Sequence, residues 1–364
     1  MSGRAPDRVD LVRLVRCLSF HADYACRNTG VCCSSGWEIA VEEQVESPLA
    51  SRLQSLHDRL PNGPDGFVPM AKPPSGCRSA FRRTASGVCW FRDADRRDCA
   101  IHREFGEVCL ASACRQFPRI AVLEPHQVSV SLSHYCPTAA ALLFDPAPDF
   151  ALVDRPIAFP ANWPFEGLDA RTADSPLLRP GVLLGFDGLR TLESEAVSLF
   201  SAPGVREGLG RFCSAVAQIR EWTPARGAVP DLVIAAFQEA ARSTPRLTEP
   251  EDPRSILVRS IPPGSRIPEL PEFSPSKRAL SPAVDLALRR YLAARLIAGW
   301  ILFQGEDLAS VGTYLQLCLA TVLLFEGARD IAGPEPSRWL EAIRSADLWL
   351  VHYCDPELLA KNLG

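Results

Sequence analysis

The chain has 364 residues, long enough for one large domain or two ordinary ones, and its 47% apolar and 23% charged residues match a folded soluble protein. A formal net charge of −4 lacks the basic footprint of a nucleic-acid binder, so no nucleic-acid partner is expected. Thirteen cysteines are an odd number, which no complete set of internal disulfides uses up.

The first segment, "MSGRAPDRVDLVRLVRCLSF", carries Arg4, Asp7, Arg8, Asp10, Arg13 and Arg16, and no apolar core of a secretion signal fits between them. The expected location is therefore cytoplasmic, where thiols stay reduced and cysteines serve as free thiols or metal ligands. "YACRNTGVCCSSG" then places Cys26 close to the adjacent pair Cys32 and Cys33. Neighbouring side chains in extended backbone point opposite ways, so this pair either sits in a turn or serves two sites. "WEIAV" alternates as a short strand, and Val45, Leu49, Leu53 and Leu56 follow at helical spacing. "HQVSVSLSHYC" alternates again as a strand through Val128, Val130 and Leu132.

Ten of the thirteen cysteines lie in the first 136 residues, and a proline-rich stretch, "CPTAAALLFDPAPDFALVDRPIAFPANWPF", follows them. A domain boundary is placed there: residues 1–145 as a cysteine-cluster region and 146–364 as a helical domain. The expected fold is mostly α, with a cysteine-rich, loop-rich α+β N-terminal metal-binding region and an all-helical C-terminal half.

"LVIAAFQEAARS" and "RYLAARLIAGWILF" have the apolar spacing of helices, and Ser281–Pro282 reads as an N-cap with proline at the first helical position. Nine prolines between residues 245 and 282 exclude a helix interior or central strand, leaving a linker or an extended draped segment. "PGVLLGFDGLR" lacks the spacing of a dinucleotide loop and reads as a turn. "LASVGTYLQLCLATVLLF", Leu308–Phe325, is uncharged over 18 residues, yet its polar members and bare flanks fit a buried helix, with no membrane partner expected.

The thiols Cys26, Cys32, Cys33, Cys89, Cys99, Cys109, Cys114 and Cys136 form a series carried on turns and loops, the approach a metal needs from several directions. Free cysteine also packs as a small hydrophobe, which is the reading for Cys213, Cys318 and Cys354, each alone in an apolar stretch. Cys17 and Cys77 fit either role. A thiol redox relay or sensor is the competing account of the series, weakened by the lack of any CxxC. His102 and His134 stand near Cys99 and Cys136 and read first as structural histidines; His57 is assigned nothing.

At these residues the chain resembles a known family. "CRNTGVCC" is similar to the CxxCGxCC signature of the YkgJ-type cysteine-cluster proteins, described as zinc- or iron-chelating, and "CWFRDADRRDCAIHREFG…CRQFPR" resembles their later pattern. "CCSSGW", "ACRQFPRI" and "SLSHYCPTAAALL" look closest to the flagellin lysine-N-methylase branch, with motifs over residues 20–145. The resemblance implies Cys26, Cys32, Cys33, Cys89, Cys99, Cys114 and Cys136 as ligands, holding an iron–sulfur cluster, with zinc the alternative. Thr29 stands where that signature has its second cysteine, so Cys17, Cys77 or Cys109 is left to complete a set. It also implies methyl transfer from S-adenosylmethionine to a lysine of a flagellin-like protein substrate. A non-catalytic zinc- or iron-binding adaptor or metal-handling protein is the alternative function. No residue pattern marks where the methyl donor or a catalytic base would sit.

Overall fold

The computed structural model describes residues 14–55, 59–71, 73–161, 163–244, 252–265, 267, 269–272, 279–305, 307–328 and 335–363, leaving His57 and much of the proline-dense stretch outside. About half of the chain is helical, with small sheets, so the expectation of a mostly α protein is met.

The first part runs β1 (Leu14–Leu18), β2 (Ala40–Glu42), α1 (Glu43–Ser55), β3 (Phe67–Pro69), β4 (Cys77–Phe81), β5 (Arg92–Asp93), β6 (Asp98–Cys99), α2 (Ala100–Phe105) and α3 (Ser112–Gln116). It continues through β7 (Arg119–Leu123), β8 (Gln127–Leu132), α4 (Pro137–Leu142), β9 (Leu152–Asp154), β10 (Leu168–Asp169) and the hairpin of β11 (Leu177–Arg179) and β12 (Val182–Leu183). From Phe186 onward the described elements are helical: α5 (Phe186–Ser201), α6 (Val205–Arg220), α7 (Val229–Arg242), α8 (Pro253–Arg259), α9 (Pro282–Leu296), α10 (Ile301–Gln304), α11 (Ala309–Ala328), α12 (Glu335–Asp347) and α13 (Pro356–Leu363). The second half is thus all-helical only from α5; four short strands precede it.

The main sheet has the order β10-β7-β8-β1-β9. β7 and β8 form an antiparallel hairpin, while β1 lies parallel to β8 with Val15 opposite Val128 and Cys17 opposite Val130. β9 and β10 come from beyond residue 145, so the sheet draws on both sides of that position. All six residues of β8 are buried. Its alternation separates two covered faces rather than core from solvent: Ser129 Oγ donates to Glu124 and Ser131 Oγ to the Ala294 carbonyl of α9.

A second layer carries the cysteines. β2, β4 and β3 form a three-stranded sheet, β5 and β6 a hairpin, and Val41, Leu49, Leu53, Phe81 and Phe91 pack into a small core with Cys89 and Cys109. The helical core is larger and centres on α11, the one helix among the described residues long and apolar enough to cross a membrane. In this fold 78% of its apolar window is buried, as expected of a core helix. Ser281 Oγ accepts from the Val284 N–H and Pro282 starts α9, as the cap signal predicts. Inside the proline-dense stretch, Pro253 at the first turn and the Asp252 cap allow the short helix α8, which neither a linker nor a draped strand anticipates. The run "RYLAARLIAGWILF" is not one helix: α9 stops at Leu296 and α10 starts at Ile301, with Ala298 at φ +55 between them.

One buried ion pair joins the helices to the sheet. Arg295 of α9 and Asp347 of α12 lie 3.1 Å apart, with side chains 3% and 0% exposed. Arg295 also donates to the Leu132 carbonyl, and Asp347 accepts from Ser133 Oγ, the His134 and Tyr135 N–H groups and the Tyr291 hydroxyl. The loop after β8, "SHYC", therefore takes its shape from a helix more than two hundred residues away. Replacing Asp347 by Asn leaves Arg295 buried without its counter-charge, which costs about 3–5 kcal/mol; chemical denaturation of D347N measures it, and a loss below 1 kcal/mol would refute the anchoring role.

Glu193 of α5 is buried near Glu124, and its Oε2 has no partner. Burial first, and then the Glu124 charge, push its carboxyl up to about 8. The native state keeps a proton that the unfolded chain has lost, so stability falls as pH rises from the ordinary value of 4.5 to about 8. His21 acts oppositely: burial, then Arg295 and Arg290, lower it to about 3, and stability falls as pH drops from 6.5 toward 3. Between pH 6.5 and 8 only the carboxyl of these two changes stability. The wild type should lose on the order of 1–2 kcal/mol over that window relative to Glu193→Gln; parallel stability curves for the two proteins would show that Glu193 is already ionised.

Candidate metal centre

Gly30 prepares the turn that holds the adjacent thiols. It sits at φ +65, and a Cβ there would come within 2.7 Å of the Arg97 carbonyl oxygen. The chain then enters a 3-10 turn, Cys32–Ser34, closed by the Cys33 N–H on the Gly30 carbonyl at 3.1 Å. A 3-10 turn places successive side chains about 120° apart instead of opposite, so Cys32 and Cys33 serve one group of sulfurs together. The Cys89 N–H donates to the Cys33 carbonyl at 2.8 Å and Arg92 Nε to the Gly30 carbonyl at 3.2 Å, fastening the next cysteine loop onto this turn.

The Cys33 thiol interacts with the thiols of Cys32, Cys89 and Cys99. Those interactions push Cys33 far up, so it keeps its proton, and they pull its three neighbours toward thiolate. Cys89 comes down to about 7, through Cys33 first, with the Phe91 N–H and the Arg83 charge adding to it. Cys99 is the N-cap residue of α2, where the nearby His102 N–H favours its thiolate after Cys33 does. Cys114, inside α3, is raised by burial and then by the charges of Cys89, Cys32 and Cys99. Five sulfurs from four chain segments thus gather in one place.

Cys136 stands at the N-cap of α4, where burial raises it while the Ala139 and Thr138 N–H groups and Tyr24 oppose the rise. Tyr24 Oη lies 3.6 Å from its sulfur, and the charge of Cys26 is felt by both groups. A cleft of about 260 Å³ is lined by Cys26, Cys32, Cys33, Cys99, Cys114 and Cys136. Of the seven cysteines singled out from sequence, six border this cleft and Cys89 interacts with Cys33.

The remaining thiols separate from them. Cys17 is fully buried in the β1 layer, Cys77 is partly exposed, and Cys109 accepts a hydrogen bond from Arg52 at 2.7 Å. Cys318 and Cys354 lie in the helical core, and Cys213 packs against it while accepting from Gln316. His102 borders the cleft, whereas His134 is buried with Nε2 3.2 Å from Nε2 of His21. Sequence alone missed Tyr24 and the Arg119 guanidinium stacked 4.0 Å over Trp163, which form the cleft's far wall.

Among the described residues no three His, Cys, Asp or Glu side chains are already set out as a metal site. Cys33 is the hub of the interactions among these sulfurs. The donor set nevertheless fits a thiophilic metal. Cys32, Cys89 and Cys99 are drawn toward the thiolate form, nearby backbone N–H groups favour thiolate at Cys89, Cys99 and Cys136, and Cys33, Cys114 and Cys136 are raised on balance and keep their protons. No family model, curated protein or solved structure matches the chain.

Gly30→Ala tests how the turn supports this group. A Cβ at positive φ costs about 1–2 kcal/mol before any clash, and the Arg97 contact adds to it. G30A should unfold at lower denaturant and expose Cys32 and Cys33 to alkylation; wild-type stability and alkylation rate would mean the turn does not depend on glycine.

Proposed function

We propose that this protein binds a metal centre through cysteine thiolates in a reducing compartment, and that the centre serves methyl transfer to a protein lysine. Cys32, Cys33, Cys89, Cys99 and Cys114 would hold it, with Cys26 and Cys136 as further ligands across the cleft. The observation that carries the reading is the interaction of Cys33 with its chain neighbour Cys32 and with Cys89 and Cys99, which two later segments bring in. A small core such as that of the cysteine layer also needs a cross-link beyond its apolar burial.

The preferred group is an iron–sulfur cluster, in line with the resemblance to the YkgJ-type and flagellin lysine-N-methylase sequences. Such a cluster would supply electron transfer or a structural cross-link. Zinc is the second reading: Zn–S bonds of about 2.3 Å place tetrahedral sulfur ligands only about 3.8 Å apart, so it would draw the thiols around Cys33 close together.

The methyl-transfer part rests on the resemblance. The amine must be neutral when the methyl leaves the sulfonium of S-adenosylmethionine, so a desolvated lysine site is required. The cleft beside the thiols, walled by Tyr24 and the Arg119–Trp163 stack, is where a protein side chain would approach.

Protein purified without air is expected to carry iron with acid-labile sulfide. Cys89→Ser should lower its metal content more than tenfold, and Cys318→Ser should leave it unchanged. Stoichiometric zinc without iron would select the second reading, and metal-free folded protein would end both. Labelled S-adenosylmethionine supplied with flagellin should label lysine; none transferred by metal-loaded protein would remove the enzymatic part.

A further inference from the structure

A second cavity, of about 230 Å³, lies where the helical half meets β7. Its wall is mainly apolar, built by Ile120, Ile297, Trp300, Leu350, Val351 and Leu359. Two backbone irregularities border it. One is the break after α9, where Ala298 sits at φ +55 and a Cβ on Gly299 would come within 2.7 Å of the Arg295 carbonyl. The other is the single π-helical turn Leu348–Tyr353, which carries His352. Strained non-glycine backbone and π-turns concentrate at ligand sites, and here both edge one cavity.

Most polar groups on the wall already have partners. Arg295 is paired with Asp347, and the Trp300 indole N–H donates to the Ala121 carbonyl. Arg119 and the exposed Glu166 add opposite charges, so the cavity favours neither an anion nor a cation. His352 differs. Its Nε2 lies 2.7 Å from Ser133 Oγ, and Ser133 gives its own proton to Asp347 at 3.0 Å. A carboxylate only accepts, so Ser133 must accept from His352, which fixes the proton on Nε2 and leaves the Nδ1 lone pair free. Burial first, then Arg295, lower His352 to about 3, so the ring is neutral. Among the described residues Nδ1 has no hydrogen-bond partner, yet unlike Nδ1 of His21 and His134 it is not sealed from solvent.

We propose that this cavity is a second ligand site, separate from the thiol cleft, for a small neutral planar molecule that donates one N–H or O–H to His352 Nδ1. The Asp347–Ser133–His352 chain orients the acceptor, and the apolar wall takes the rest of the ligand. His352 is stacked 4.3 Å from Trp37, so its ring is held on the other side as well. The ligand meets one directional acceptor in otherwise apolar surroundings, the arrangement that selects for a donor.

Calorimetry on the protein as isolated tests this with indole, which has the N–H donor, against benzofuran, its near-isostere without one. Indole should bind one saturable site with Kd of about 0.1–1 mM, and benzofuran at least fivefold more weakly. Val351→Trp, which fills the cavity, should abolish both. His352→Phe should bring the two ligands to equal affinity; if that variant fails to fold, the wild-type comparison and Val351→Trp decide. Absence of saturable indole binding, equal affinities in the wild type, or binding untouched by Val351→Trp would overturn the proposal.

Discussion

The buried pair of Arg295 and Asp347 is the constraint around which the two chemically different parts of this protein are joined. Neither charge would be tolerated alone at such burial. The remaining capacity of Asp347 is spent on the loop between β8 and α4, through Ser133, His134 and Tyr135. Arg344 of α12 adds a bond to the Tyr135 carbonyl. The next residue, Cys136, is thereby aimed at the cleft. The same carboxylate sets the orientation of His352 through Ser133, so the thiol cleft and the apolar cavity share one anchor.

The sulfur group is organised by backbone more than by apolar packing. A positive-φ glycine, a 3-10 turn and a hydrogen bond between the Cys33 and Cys89 segments bring three distant loops together. The thiols settle their charge by leaving a proton on Cys33 and drawing Cys32, Cys89 and Cys99 toward thiolate. The proposed metal would take over the role of that proton, and its binding would then be coupled to the folding of this layer.

Arg119 connects the two sites. It lines both the cleft and the cavity, and it stacks over Trp163 and Phe159. Burial lowers its affinity for a proton, and the nearby Tyr24, Glu107 and Cys26 oppose that effect. A group bound on either side would therefore share a wall built on one guanidinium.

Residue order by itself determined the mostly helical character, a strand overlapping residues 37–41, the strand at Gln127–Leu132 and the cap of α9. These depend on local periodicity and turn chemistry, both of which act over a few residues. Only the tertiary structure decided that β9 and β10 return to the first sheet, that α9 breaks at Ala298, and that Ser133 and His352 meet on Asp347. Those outcomes rest on partners far apart in the chain. No single segment carries the energy of a buried ion pair or the shape of a cavity that two halves enclose.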